Sequence, residues 1–286
     1  MKHFVLVTGA SSGIGEATCK KLAEKNYEVL AGVRNETDGA RLKHMYGDRI
    51  HPLLLDVVND ESIEHAKEKA REMIAQDSLV AIINNAGIVV AGAVLYVPVD
   101  KWSHQLDVNV LGVIRITQKF FEFLKHGHDA VDAHPRSIIN ISSVSGLFAS
   151  PFIGPYAASK YALEALSDSL RRELYMYNIR VVIIEPGNIV TPIWGKAKEA
   201  DPHSGPEYES IIAFRDKMID DNITRGLPVD IVADRIFRAI RDEKVKTRYL
   251  IRAKAWKFRL IQKLPVTWVD RMIRNKLKRK SGIRPF

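Results

Sequence analysis

The sequence predicts a doubly wound α/β fold: a single parallel sheet with helices on both faces, followed by a C-terminal helical extension. Three observations carry this. Short runs such as Phe4-Val5-Leu6-Val7 and Val181-Val182-Ile183-Ile184 are apolar throughout rather than alternating, the pattern of strands covered on both faces. These runs alternate with longer amphipathic stretches, which builds right-handed βαβ units. A glycine-rich turn, Thr8 to Gly15, joins the first run to the first helical stretch.

In chain order, the pattern predicts a strand at Phe4–Val7, a helix from Ile14 to Lys25 and a second strand at Glu28–Val33. A third strand follows at His51–Leu55, then a charged helix over Asp60–Ala75 and a fourth strand at Leu79–Ile83. One long helix is expected over Lys101–Lys125, a strand at Ser137–Ile141, a helix over Tyr156–Tyr177 and a sixth strand at Val181–Ile184. No repeat or low-complexity linker interrupts the alternation. Residues 1–253 therefore read as one catalytic domain, with a basic amphipathic extension at 254–286. Residues 188–225 hold Pro192, Trp194, Pro202, Gly205 and Pro206 and a short amphipathic stretch near Tyr208–Met218, which suits a lid.

With 286 residues, 46% of them hydrophobic and 27% charged, the chain has ordinary globular composition. A single cysteine, Cys19, excludes a disulfide framework and a multi-cysteine zinc site, and its place inside the first helix reads as packing. The first residues are too briefly apolar for a signal peptide, and no run reaches the roughly 18 apolar residues of a membrane span. A cytoplasmic protein is expected. The net charge of +9 is unevenly placed. Residues 246–286 carry 14 Lys and Arg against one acid, Asp270, whereas the first 245 residues carry 29 basic and 33 acidic side chains. A uniformly basic protein would suggest nucleic acid; an acidic body with a cationic tail and no recognition motif does not.

The glycine turn carries the first chemistry. Gly9 permits the tight turn, Gly13 lets backbone approach a pyrophosphate, and Gly15 lets helix and strand pack closely. Ser11, Ser12 and Ile14 complete a loop whose helix N-terminus favours anions. A second constellation lies on the helix from Tyr156, where Tyr156 and Lys160 share one face at i and i+4. A phenol near pKa 10 is a poor base at neutral pH, and an adjacent ammonium lowers that value. Such a tyrosine can take a proton from an alcohol or give one to a carbonyl. Ser143 ends its strand at the edge where open α/β sheets bind ligands, and its hydroxyl can hold a substrate oxygen.

Together these residues resemble the short-chain dehydrogenase/reductase family, whose fold is Rossmann-like. The turn at Thr8–Gly15 matches T-G-x-x-x-G-x-G, Asn84-Asn85-Ala86-Gly87 matches N-N-A-G, and Tyr156-Ala157-Ala158-Ser159-Lys160 matches Y-x-x-x-K. Asn109 in Asp107-Val108-Asn109-Val110, Ser142-Ser143, and Pro186-Gly187 with Thr191 fall in the family's order. The resemblance implies hydride transfer between a nicotinamide and an alcohol or ketone. It implies Ser143 rather than Ser142 as the substrate-orienting serine, Lys160 on the nicotinamide ribose, and Asn109 holding a water that relays protons to the lysine. It further implies cofactor contacts at Asp56 and Val57 (adenine) and at Asn85, Ala86, Gly87, Pro186, Gly187, Ile189 and Thr191.

An acid at the end of the second strand would select NAD; here Val33 occupies that place and Arg34 follows, which suits the 2′-phosphate of NADP. The glycine turn holds no basic residue and Glu36 and Asp38 lie close by, so NAD is the alternative. His126, His128 and His134 with Asp129 and Asp132 read as a solvated loop, and no metal is expected. The runs Ile88-Val89-Val90-Ala91, Leu147-Phe148-Ala149, Phe152-Ile153 and Ile193-Trp194 flank the catalytic ends without an Arg or Lys, which fits an apolar secondary alcohol or ketone. Ser167 to Leu174 and Glu185-Pro186-Gly187 resemble the retinol and 17β-hydroxysteroid branches. They also resemble the 3-hydroxybutyrate dehydrogenase branch, which leaves a small hydroxy acid as the alternative substrate. A dinucleotide sensor without turnover is the alternative of another class. The family resemblance implies a homo-oligomer paired through the two long helices.

In the extension, Trp256, Leu260, Ile261 and Leu264 share one helical face, and Val266, Val269, Met272, Ile273 and Leu277 share a second. Lys and Arg fill the flanks. Such helices either lie in a membrane interface or pack their apolar faces on the body; the sequence alone leaves both open.

Overall fold

The computed structural model describes residues 1–125, 136–199, 203–205, 208, 216–217, 219–220 and 224–281. The sheet has seven parallel strands: β1 His3–Val7, β2 Glu28–Val33, β3 Ile50–Leu54, β4 Ser78–Asn84, β5 Arg136–Ile141, β6 Ile179–Pro186 and β7 Arg248–Ile251. They lie in the order β3-β2-β1-β4-β5-β6-β7, so the order reverses between β1 and β4. A crevice forms beyond the carboxyl ends of strands at such a reversal.

Helices cover both faces. On one lie α1 (Gly13–Glu24), α2 (Glu36–Tyr46) and α8 (Val229–Arg241), burying Cys19, Leu22, Leu42, Ile236 and Ile240 against Val5, Val29, Ala81 and Ile139. On the other lie α3 (Asp60–Ile74) and α5 (Gly112–Lys125), burying Ile63, Ile74, Ile116 and Phe120 against Leu6, Leu30, Ile82 and Ile138. Alternate residues of each strand thus feed opposite cores, which is why the strands are apolar throughout. Helices α4 (Val99–Leu106) and α6 (Gly154–Glu173) complete that layer. A buried polar ladder fixes the register there: Asn84 Nδ2 donates to Asn140 Oδ1 (2.8 Å), and Asn140 Nδ2 donates to Ser167 Oγ on α6 (2.9 Å).

The structure adds to the expected elements and corrects one. Helix α2 buries only Gly39 and Leu42, so it shows no apolar stripe to read; its start is marked by Asn35, which accepts from Asp38 N (2.8 Å). Strand β7 is a half-buried edge strand of four residues, below the length at which a pattern is visible. The helix expected as one piece over Lys101–Lys125 is interrupted by a π turn at Asp107–Leu111, where Gly112 N bonds Asp107 O. Helix α7 (Pro192–Glu199) begins the expected lid, while the stretch expected to be helical near 208–218 lies mostly outside the described residues. His126, His128, Asp129, Asp132 and His134 lie outside them as well. No helix among the described residues is long and apolar enough to cross a membrane. Burial pushes the Cys19 thiol up, consistent with a packing role.

Candidate active site

A cavity of about 430 Å³ opens at the reversal of strand order. Every candidate catalytic and cofactor-binding residue named above lines it except Gly15 and Asn109; of the apolar runs, Ile88, Val89, Ile193 and Trp194 line it, whereas the runs at 147–149 and 152–153 do not.

At one end, the turn after β1 is built from backbone geometry. Gly9 and Gly13 hold φ of 62° and 59°, in the left-handed region. A Cβ on Gly15 would collide with the Gly9 carbonyl oxygen and lie 2.6 Å from Asn85 Nδ2, so this position admits no side chain. Asn85 fastens the turn from below: its Nδ2 donates to the carbonyls of Thr8 (2.9 Å) and Gly9 (3.0 Å). Thr8 Oγ1 in turn accepts from the N–H groups of Asn85 and Ala86, both at 3.0 Å. Thr8 is therefore a site-building residue that the sequence reading passed over; its place directly before Gly9 was the available signal. Ser12 starts α1 without capping it by its side chain, which leaves the helix N–H groups directed outward. That cradle, with Thr191 and Pro192 packed at the van der Waals distance a Gly13 Cβ would require, fits a dinucleotide pyrophosphate.

Arg34 follows β2 at the cavity rim, exposed, and makes no hydrogen bond or ion pair among the described residues. A second arginine, Arg41 on α2, is held inward: Nη2 donates to the Ser11 carbonyl (2.6 Å) and Nη1 to Glu16 Oε1 (2.7 Å). Glu16 also receives the Tyr46 hydroxyl at 2.9 Å. Of the two acids close by in sequence, Asp38 is engaged elsewhere, its Oδ2 accepting from Asn35 Nδ2 at 2.8 Å. Asp56 and Val57 line the wall beyond β3, with Asp56 Oδ1 accepting from Val58 N (3.2 Å).

Three strand spacings away from β2, roughly 14 Å, the turn after β5 brings in Ser143. Its Oγ accepts from Ser145 N (3.1 Å) and hydrogen-bonds the Tyr156 hydroxyl. Tyr156, 7% exposed, lies two residues inside α6 with its ring edge-on to Trp194 at 6.1 Å. Lys160 Nζ faces the same ring from 5.7 Å and donates to the Ile141 carbonyl at 2.8 Å. Burial pushes the lysine down to about 8, with Glu164 opposing. Burial pushes the Tyr156 phenol up, and the Ser143 hydrogen bond pulls it back. Desolvation thus dominates at Tyr156, and the lowering expected from the Lys160 ammonium is not what the folded chain shows.

Asn109 sits on the π turn. Its Oδ1 accepts from Ile88 N (2.9 Å), and its Nδ2 donates to Ile88 O (3.1 Å) and Ser159 Oγ (3.0 Å). Gln105, one turn earlier, clamps the same loop through Val90 N (2.6 Å) and Ile88 O (2.8 Å). This polar i, i+4 pair inside an apolar helix face was legible in the sequence but unread. Both amide protons and one acceptor position of the Asn109 carboxamide tie the loop after β4 to α6. Pro186, Gly187, Ile189 and Thr191 close the wall after β6, and Gly187 N donates to the Ile251 carbonyl at 2.8 Å.

Fold and site together define a dinucleotide-binding α/β protein with a Ser-Tyr-Lys cluster at the far end of its crevice. The comparisons are specific. Residues 3–202 match the family model described as short chain dehydrogenase. The chain is 36% identical over 279 residues (97% of this chain, 98% of the relative) to an NADPH-dependent 3-dehydrocapnine reductase from Ornithobacterium rhinotracheale. It is 30% identical over 263 residues (86% of this chain, 79% of the relative) to 17-beta-hydroxysteroid dehydrogenase type 6 from Bos taurus. A short-chain dehydrogenase/reductase from Burkholderia phymatum, solved in complex with NAD, superposes with a TM-score of 0.79 at 22% identity, covering 100% of this chain and 98% of that one. The chain belongs to the short-chain dehydrogenase/reductase family of oxidoreductases.

Proposed function

We propose that this protein is an NADP(H)-dependent oxidoreductase acting on a secondary alcohol or ketone of an apolar molecule. The observation that carries the reading is the Ser143–Tyr156 hydrogen bond with Lys160 against the same ring, at the cavity end lined by Val89, Ile193 and Trp194.

The nicotinamide, when bound, supplies or accepts the hydride. The chain's residues handle the oxygen and its proton. Ser143 and Tyr156 hold the substrate oxygen between their hydroxyls, and Tyr156 gives its proton to that oxygen as the alcohol forms. The resulting phenolate faces Lys160, whose ammonium stabilises it. With the Asn109 carboxamide engaged by Ile88 and Ser159, it positions the wall at Ile88, and the second acceptor position of its Oδ1 is what it has left to offer a water. Among the described lining residues the lysines and arginines are Lys160 and Arg34, which leaves no cation to clamp a carboxylate beside Trp194 and favours the apolar substrate over a small hydroxy acid.

Arg34 supports NADP over NAD: an exposed guanidinium without a partner stands where the adenosine 2′-phosphate would lie. A relative's name points the same way. Fluorescence titration should give tighter NADPH than NADH binding, and Arg34→Ala should weaken NADPH by about tenfold to a hundredfold while leaving NADH nearly unchanged. Equal affinities in the wild type would sink the assignment. NADPH oxidation across a panel of ketones of graded length then tests the substrate class.

We also propose a homo-oligomer. Leu111 and Tyr161, on the two long helices, are 46% exposed each, an apolar surface that a second copy would cover. Light scattering at micromolar concentration should give a multiple of 32.3 kDa, and a monomeric mass would count against it.

A further inference from the structure

The helices after β7 resolve the choice that their sequence leaves open. Helix α9 (Ala255–Ile261) is anchored through one residue, Phe258, which is buried, meets Phe148 edge-on at 6.2 Å and takes the Arg252 guanidinium on its ring at 4.5 Å. Ile261, Leu264, Val269, Ile273 and Leu277 are half-buried, whereas five large apolar side chains turn outward. Trp256 is 62% exposed and Leu260 55%; on α10 (Val266–Ser281) Val266 is 74% exposed, Trp268 61% and Met272 51%. Of the face expected from the sequence, Trp256 and Leu260 are thus uncovered, while Ile261 and Leu264 are half-buried.

Cations surround these residues and are not neutralised internally. Lys254, Lys257, Lys263, Arg271 and Arg274 are exposed and make no ion pair among the described residues. Within the segment from 246 onward there is one acid for 14 basic residues, of which Arg248 pairs with Glu164 and Asp168 of the body. An uncovered apolar strip between unpaired cations is complementary to a surface that is apolar within and anionic at its rim, and tryptophan belongs at that boundary. Two copies joined through this strip would bring their cations together. Nucleic acid would leave Leu260, Val266 and Met272 uncovered.

The tail also begins beside the cavity wall. Helix α9 follows the carboxyl end of β7, the same sheet edge on which the cavity opens, and the root of the tail touches its wall: a Cβ on Gly187 would lie 2.7 Å from Arg252 Cβ. On that edge the loop after β4 exposes Leu95 (81%) and Val99 (79%).

We propose that residues 254–281 dock the protein on an anionic lipid bilayer, with Trp256, Leu260, Trp268 and Met272 entering the interface and the flanking cations meeting the headgroups. The docking stands without the proposed chemistry; only its use, delivering an apolar substrate from the bilayer to the cavity, rests on that reading.

Sedimentation of the full-length protein with vesicles tests it. The protein should pellet at low salt with vesicles of equal phosphatidylglycerol and phosphatidylcholine, and partition at least about tenfold less onto pure phosphatidylcholine. The double variant Trp256→Ser/Trp268→Ser should lower partition to the anionic vesicles by about tenfold, and Lys257→Gln/Arg274→Gln by a similar factor. Both should keep the wild-type rate of NADPH oxidation with a water-soluble ketone. The proposal falls if the wild type stays in the supernatant with anionic vesicles, or if the tryptophan variant pellets like the wild type. It falls equally if that variant loses oligomeric mass in light scattering with vesicle binding intact, because the strip would then belong to a second copy. Absence of turnover with docking intact would count against the oxidoreductase reading alone.

Discussion

Tyr156→Phe should abolish turnover, by at least about a hundredfold to ten-thousandfold, while NADPH binding survives. The substitution removes one oxygen from a ring that stays packed against Trp194 at 6.1 Å, so neither the wall nor the fold has reason to move. What is lost is the proton. Burial holds the phenol protonated well beyond neutral pH, so the hydroxyl is a resident acid waiting for a developing alkoxide. Lys160 is not the proton source in this reading: its Nζ lies 5.7 Å from the ring centroid and donates one of its protons to the Ile141 carbonyl at 2.8 Å. The measurement pairs kcat for ketone reduction with a fluorescence titration of NADPH and a circular dichroism spectrum. A variant that binds NADPH and stays folded but does not turn over is the expected outcome. Retained turnover would remove Tyr156 from the chemistry. A wild type inert toward every ketone and alcohol tried would favour the alternative of a dinucleotide sensor.

The parts of this molecule that were legible in its sequence are those fixed by local stereochemistry. The turn at Gly9–Gly15 needs two left-handed residues and a position where any Cβ would strike the Gly9 carbonyl, and only glycine meets those demands. Tyr156 and Lys160 share a helix face by arithmetic. The strands showed themselves because both faces are buried. What was not legible depends on partners distant in sequence. Helix α2 has no stripe, since its role is to send Arg41 back to Ser11 and Glu16. Strand β7 becomes a strand only beside β6, where Glu185 pairs with Leu250. The π turn at Asp107–Leu111 gives no periodicity signal over five residues, although it presents Asn109 to Ile88 and Ser159. In the tail, spacing placed Trp256 and Leu260 on one face but could not say whether the body covered it; Phe258, off that face, turned out to be the anchor.

Glu185 stands in the sequence only as the first residue of the Glu185-Pro186-Gly187 run, with nothing to mark its burial, and its titration should govern the pH dependence of stability. It sits on β6, 3% exposed, immediately before Pro186 and Gly187 of the cavity wall. Every charged group facing it can be named. Glu164, one turn beyond Lys160 on α6, repels it; Arg248 on β7 lies 3.5 Å away without hydrogen-bonding, and Arg259 on α9 attracts it from further off. Arg248 is committed elsewhere, since Nε donates to Glu164 Oε2 (3.1 Å) and Nη2 to Asp168 Oδ1 (2.9 Å). Burial, reinforced by Glu164, therefore pushes the Glu185 carboxyl up to about 7 from its ordinary 4.5. Between those values the folded chain keeps a proton that the unfolded chain releases. The stabilisation is complete below pH 4.5 and is lost as the pH rises through about 7. The shift corresponds to about 3 kcal/mol at most. Glu185→Gln carries the protonated shape without the titration, so its unfolding free energy from urea titration should gain on the wild type between pH 5 and pH 8 by up to that amount. Parallel pH profiles would show that Arg248 keeps Glu185 ionised throughout. A variant that lost ground at pH 8 would mean that the Glu185–Arg248 pair, rather than desolvation, dominates the site beneath the catalytic helix.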